Sequence, residues 1–139
     1  MYTQRTMAAP ITHEFLADMK RRVEEERLEY ATRQNRLGKD IAAQEVARLH
    51  PDIYEIHKLL WHEVNVRPHA ESYTLFLGSL NTDALVGALL SSYQTAMHMM
   101  EKEYVETYTP WLKKHVPAGR FTFKWDGRYE IRVYLVFDV

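Results

Sequence analysis

The sequence predicts an α+β fold, in which N-terminal helices and one long central amphipathic helix pack on a small antiparallel sheet that ends in a C-terminal β-hairpin. Three observations predict this class. The N-terminal part of the chain combines dense charge with apolar positions at helical spacing. Apolar residues recur with a period of 3.6 from Asp83 to about Tyr108. The stretch FTFKWDGRYEIRVYLVF, residues 121–137, alternates apolar and polar side chains around an Asp-Gly turn signal.

Length and composition restrict the class of protein. The 139 residues suit one domain, which we place at residues 1–139, and a 46% hydrophobic content supports a core. A formal net charge of -1 gives no overall field that would attract nucleic acid or an anionic membrane. Without cysteine the chain has no disulfide or thiolate chemistry, and we expect a cytoplasmic location. No apolar stretch approaches the ~18 residues of a membrane span, so we expect no membrane partner.

The first helix is predicted to begin after Thr12 and to carry an interrupted apolar stripe. Arg22, Glu26 and Arg33 fall on or beside that stripe. Because Gly38 is a helix-stop signal, we expect the helix to end there and a short Ala-rich helix to run from Asp40 to about His50. The stripe consists of Ile11, Phe15, Met19, Val23, Tyr30 and Leu37.

The middle of the chain predicts one more short helix and the first strand. Pro51 suits the first position of a helix that reaches about Val64. The stretch SYTLFLGSL, residues 72–80, is predicted to be a strand, with Tyr73, Leu75 and Leu77 on one side and Thr74 and Phe76 on the other, and the sheet is expected to hold at least residues 72–77.

The central helix is expected to begin at a cap formed by Asn81 or Thr82 and to run from Asp83 to about Tyr108. Thr109-Pro110 then starts a short helical turn that carries Trp111.

Whether the loop at the hairpin tip has an even or an odd number of residues decides which side chains of the two strands share a face. A two-residue loop at Asp126-Gly127 would place Phe123 opposite Glu130, so that an aromatic face would share a side with a charged face. A three-residue loop unites the two apolar faces, and two registers satisfy it. Residues 125–127 as the loop would place Phe123 opposite Tyr129, whereas residues 126–128 would place Trp125 opposite Tyr129.

We prefer the first register, because Gly127 would then hold the left-handed position of a bulge without steric cost. In this register Phe121 and Phe123 are buried, while Trp125 stays outside at the tip. A tryptophan beside arginines has the composition of an interface hot spot. We therefore predict a macromolecule-binding site formed by residues that are exposed at the tip or on the outer face of the hairpin: Lys124, Trp125, Arg128 and Arg132.

Sequence signals for catalysis and for bound groups are weak. No Gly-x-Ser-x-Gly elbow or phosphate-binding glycine loop is present. His57 and His62 are five residues apart, whereas a metal-binding pair on one helical face needs three or four. We therefore predict no catalytic residues, no cofactor and no metal.

The sequence predicts a small non-enzymatic protein that binds another macromolecule, and we expect that partner to be a protein, as for an adaptor or an inhibitor. The alternative is a nucleic-acid-binding protein that uses the basic C-terminal hairpin, because residues 111–132 hold six Lys or Arg against two acids. A second alternative is a small hydrolase or nuclease with an unfamiliar site. We also expect a homodimer, since the first helix carries an apolar stripe and the last strand is apolar on both faces from Tyr134 onward.

Overall fold

The computed structural model describes residues 9–89, 92–127 and 129–139. Helices and strands among them confirm the α+β class and the C-terminal hairpin. None of the described helices is long and apolar enough to cross a membrane. In chain order the elements are α1 His13–Arg48, α2 Ile53–Val66, β1 Ser72–Asn81, α3 Asp83–Leu89, α4 Tyr93–His115, β2 Gly119–Asp126 and β3 Glu130–Asp138.

The chain divides into two compact units, one that ends at Asn35 and one that comprises Arg36–Val139. What is described of the first unit is mainly the N-terminal part of α1. The buried hydrophobic residues of the described chain all belong to the second unit. A single domain over residues 1–139 stays a prediction.

Helix α1 begins as predicted and ends later than predicted. The Thr12 hydroxyl accepts a hydrogen bond of 3.1 Å from the Phe15 amide, as an N-cap residue does. The expected stop at Gly38 is wrong, because α1 continues to Arg48. Gly38, Ala42 and Val46 are its buried residues. They recur every four positions, and packing along this face outweighs the cost of about 1 kcal/mol that a glycine brings to a helix.

Helix α2 begins after Asp52, whose carboxylate accepts hydrogen bonds from the amides of Tyr54 at 2.9 Å and Glu55 at 3.4 Å. It runs to Val66, slightly further than predicted. Strand β1 matches the predicted stretch of residues 72–80 and extends one residue further, to Asn81.

The continuous helix predicted from Asp83 to Tyr108 is wrong in its bounds. Helix α3 is short, and α4 begins after Ser92, whose hydroxyl accepts a hydrogen bond of 3.3 Å from the Thr95 amide. Leu90 and Ser91 lie outside the described residues. Helix α4 includes Pro110 and ends at His115, so the proline does not restart the chain.

The three strands form one antiparallel sheet in the order β1-β3-β2. One face of this sheet carries the core. Its members pair across the strands as Leu75 with Leu135 and Phe121, and as Leu80 with Ile131 and Trp125. The same side chains belong to the two buried clusters that α1, α2 and α4 complete.

Two tyrosines of α4 tie this core to the end of α1. The hydroxyl groups of Tyr104 and Tyr108 donate to the carbonyls of Leu49, at 3.2 Å, and Val46, at 2.8 Å. Tyr104 is fully buried, and this burial raises the pKa of its hydroxyl.

The register of the hairpin differs from both alternatives. Asp126 pairs with Glu130, and Trp125 lies opposite Ile131, so residues 127–129 form the loop. The odd loop length is confirmed, and both registers weighed from the sequence are wrong. Gly127 has the expected positive φ, 64°. The loop lies two residues further along the chain than in the preferred register, so Trp125 belongs to β2 and to the face that packs on the core.

Candidate functional site on the open face of the sheet

Trp125 does not project from the hairpin tip as predicted. Its indole is half-buried on the core face, where Nε1 donates a hydrogen bond of 2.6 Å to Glu101 Oε1 of α4. The ring also meets His98 edge-on, with centroids 4.8 Å apart. Phe121 and Phe123 are half-buried and pack against the same cluster. Arg128 lies outside the described residues.

Lys124 and Arg132 are brought together by the fold. They are cross-strand neighbours, and they point to the side of the sheet opposite the core. We call this side the open face. It includes Thr74, Phe76, Arg120, Thr122, Lys124, Asp126, Glu130, Arg132, Tyr134, Val136 and Asp138. The clusters of buried residues draw their sheet members from the other side, so the open face can be reached from solvent at Phe76 and Lys124.

An aromatic pair occupies the centre of the open face. Phe76 of β1 and Tyr134 of β3 are direct cross-strand partners, with ring centroids 5.5 Å apart and planes tilted by 51°. Phe76 is 52% exposed, whereas Val136 on the same face is only 8% exposed. A phenylalanine that remains half-exposed beside a covered valine gives the face an apolar centre that a partner can still bury.

Ion pairs neutralise both arginines of the open face. Arg132 lies 2.6 Å from Asp126, and Arg120 lies 2.9 Å from Asp138. A side-chain hydrogen bond with Tyr134 and the charge of Asp126 raise the pKa of Arg132. The hydrogen bond with Arg120 lowers the pKa of Asp138.

The register also places three carboxylates on this side, because Asp126, Glu130 and Asp138 alternate in phase with Arg120, Lys124 and Arg132. The formal charges of these three basic and three acidic side chains sum to zero. The basic character that the sequence of residues 111–132 predicts is therefore much reduced on the surface that the hairpin presents.

Shallow grooves lie on the second unit. Ile41, Glu45 and Asn81 line one of about 420 Å³. Phe76 lines another of about 100 Å³ beside Glu55 and Leu59 of α2, which extends the apolar surface around the edge of β1. A third, of about 210 Å³, has His57 and His115 in its lining. The last two are smaller than the ~300–1,000 Å³ usual for small-molecule sites, whereas the first lies within that range. Among the described residues no group of three or more His, Asp or Glu side chains could hold a metal ion.

Phe76 and Tyr134 are the residues of this surface that the sequence-based prediction missed. Their strands are far apart in the chain, and only the order β1-β3-β2 makes them neighbours. Strand alternation did place Phe76 opposite Tyr73 and Leu75. That pattern was the available signal, and it separates the two faces without showing that one of them stays open.

No protein-family model, no curated protein and no solved structure matches this chain.

Proposed function

We propose that this is a non-enzymatic protein that binds another protein through the open face, in the manner of an adaptor or an inhibitor. The observation that carries the proposal is the half-exposed ring of Phe76 against Tyr134, with Arg132 beside them. Aromatic residues and arginine dominate the energetic centres of protein interfaces. Arg132 is held by its ion pair with Asp126 at 2.6 Å and Tyr134 packs against the ring of Phe76, so a partner can bury them with less loss of side-chain freedom.

The charges of the open face favour a protein over a nucleic acid. Affinity for nucleic acid comes largely from lysines and arginines that neutralise phosphates. Here Asp126 and Asp138 already pair with the two arginines. A protein partner that offers an apolar pocket to Phe76 and a carboxylate to Lys124 fits this pattern better. The lack of cysteine suits a cytoplasmic protein, and we place the interaction there.

Affinity purification of the tagged chain from its own cells tests this proposal. We expect Phe76→Ala to remove most of a co-purifying protein, because truncating a central aromatic residue costs about 2 kcal/mol or more of binding free energy. Tyr54→Ala is the matched control, since Tyr54 is 84% exposed on α2. It should leave recovery unchanged. Equal losses from the two variants would contradict the open face as the binding surface.

Nucleic acid is the second candidate, because two adjacent rings on an open sheet can stack bases. Nuclease treatment of the lysate separates the two functions. A protein partner should survive it, and its recovery should change little between low and moderate salt. Loss of all co-purifying material after nuclease treatment would favour nucleic acid instead.

A further inference from the structure

The sheet has two outer strands, β1 and β2, and side chains of α1 bond to the free edge of β1. Arg48 donates to the carbonyl of Ser79 at 2.8 Å, and Glu45 accepts from the amide of Asn81 at 2.7 Å. These backbone groups are the ones that an added strand would need. The edge of β1 is therefore closed to further pairing at this end.

The free edge of β2 has no such cover in the described part of the second unit. Strand β2 runs from Gly119 to Asp126 and pairs with β3 on one side only. Among the described residues, no side chain of another element bonds to the backbone of residues 120–126, in contrast to β1. Alternate amides and carbonyls of β2 point away from the sheet, as in any outer antiparallel strand. Such an edge accepts a further strand.

The sequence of β2 is complementary to itself in antiparallel orientation. A two-fold axis that is normal to the sheet and passes beside Phe123 places residues equally distant from Phe123 opposite each other. Arg120 lies three positions before it and Asp126 three positions after it, so opposite charges meet on the open face. Phe121 and Trp125 meet on the core face in the same way, and aromatic cross-strand pairs are favourable. Two-fold symmetry makes each of these contacts twice.

Neighbouring registers lack this complementarity. An axis beside Thr122 would place Arg120 opposite Lys124, and an axis beside Lys124 would place the two copies of Lys124 opposite each other. Like charges directly opposite each other are destabilising. An axis midway between two residues would place the core face of one strand opposite the open face of the other, which do not share a side. Charge and alternation together select the register centred on Phe123.

Ion pairs within each copy prepare the two charges for this contact. Arg120 lies 2.9 Å from Asp138, and Asp126 lies 2.6 Å from Arg132. The side chains of Arg120 and Asp126 are 58% and 43% exposed, so a second copy can reach both. Where Arg120 of one copy meets Asp126 of the other, the two ion pairs join into a row of charges that alternate in sign. Networks of this kind stabilise more than isolated surface pairs.

We propose that β2 pairs with β2 of a second copy, antiparallel and centred on Phe123, so that the two sheets become one continuous sheet with the helices of both copies on the same side. Phe76 lies on β1, at the opposite edge of each sheet, and stays accessible in this dimer. The inference therefore does not rest on the protein-binding function proposed above.

Sedimentation equilibrium of the full chain over a range of concentrations tests the inference. We expect wild-type protein to approach twice the 16.5 kDa mass of one chain. Thr122 lies opposite Lys124 in this register, so Thr122→Lys should raise the dimer dissociation constant roughly threefold to tenfold, and Thr122→Glu should lower it. Thr74→Lys and Thr74→Glu make the same changes on the exposed face of β1 and should leave the constant unchanged. Circular dichroism checks that each variant is folded.

Cysteine cross-linking tests the register separately, because the chain contains no cysteine of its own. Chains with Thr122→Cys mixed with chains with Lys124→Cys should form a covalent heterodimer under mild oxidation, since the two positions lie opposite each other. Either variant alone should form little covalent dimer. Two copies of the same position would be diagonal neighbours, about 7–8 Å apart, and a disulfide does not bridge Cα atoms more than about 7 Å apart.

Three results would overturn the inference. A wild-type chain that stays at 16.5 kDa up to about 0.5 mM would exclude a dimer of useful affinity. Equal effects of folded Thr122→Lys and Thr74→Lys variants, or no effect of either, would place the contact away from β2. Cross-linking of one cysteine variant alone that matches the mixture would show another register. None of these results bears on capture of another protein by Phe76, which Phe76→Ala tests on its own.

Discussion

Trp125 joins the hairpin to α4 through a single side chain. Its ring packs on the core cluster and against His98, and its indole nitrogen donates to Glu101. These contacts link the tip of the sheet to α4. The residue therefore contributes to stability and is turned away from the open face.

We predict that Trp125→Ala lowers the free energy of unfolding by about 2–3 kcal/mol, less than the ~3–5 kcal/mol of a fully buried aromatic residue. Trp125→Phe keeps the ring and removes the donor to Glu101, so about 1 kcal/mol should be lost. Urea unfolding followed by circular dichroism measures both. Trp61→Ala is the control, since that ring is 74% exposed on α2. A Trp125→Ala effect no larger than the control would mean that the indole does not support the core.

Residue patterns alone could not place this tryptophan. The alternation of apolar residues in the two strands correctly indicated a loop with an odd number of residues, because that number depends only on which residues share a face. The register depends on where the loop lies along the chain, and here the Arg132–Asp126 ion pair and the Trp125–Glu101 hydrogen bond favour a loop displaced by two residues, at 127–129. Glu101 is 24 positions away in sequence, so no local signal announces it.

A bulge in β1 changes which residues of that strand point to the core. The pairing with β3 shifts between Phe76 and Gly78, which leaves Leu77 as the extra residue. After the bulge the alternation changes phase, so that Leu80 points to the core. The sequence assigned residues to the two faces only as far as Leu77, because the regular alternation is interrupted there.

Two glycines with positive φ provide a matched pair of tests of backbone strain and of side-chain packing. Gly78 has φ 141° and Gly127 has φ 64°. A Cβ at Gly127 would meet nothing within 4 Å, whereas a Cβ at Gly78 would overlap the Leu49 side chain. We predict a cost of about 1 kcal/mol for Gly127→Ala, which is backbone strain alone. Gly78→Ala should cost roughly 2–4 kcal/mol, since overpacking is added. Thermal unfolding compares them, and equal costs would contradict the close approach of Leu49.

Helix bounds show where local propensity is overruled. Gly38 is a stop signal by composition, yet it lies buried in the middle of α1. Ser92 is an ordinary polar residue within an apolar period, yet it caps α4. In both cases packing decides: Gly38 shares a buried face with Ala42 and Val46, and α4 buries Ala96, Met97 and Met100 soon after its cap. The helical content could be read from the sequence, and the breaks could not.

For the chain as a whole, the described core belongs to one of the two units, residues 36–139. Every buried hydrophobic residue of the described chain lies between Ala42 and Phe137. The unit of residues 36–139 retains the part of α1 that reaches the core, with both tyrosine bonds from α4 to Leu49 and Val46. Composition predicted one folded domain. It carried no sign that the described residues of α1 before Arg36 add no buried hydrophobic residue to the core, because an apolar stripe in a sequence does not show whether it is buried.

We predict that a fragment of residues 36–139 folds without the residues before it and unfolds cooperatively within a few degrees of the full chain. The reason is that, of the residues that the structure describes from 9 to 35, none is a buried hydrophobic residue. Near-ultraviolet circular dichroism reports the packing of Tyr104, Tyr108 and Trp125, and thermal unfolding reports cooperativity. A fragment of residues 49–139 is the control, since it also lacks Ala42 and Val46, and it should lose several kcal/mol of stability or fail to fold. If the longer fragment is as unstable as the shorter one, residues before Arg36 are part of the core after all. If the fragment of residues 36–139 folds and is monomeric while the full chain is a dimer, the residues before Arg36 account for self-association.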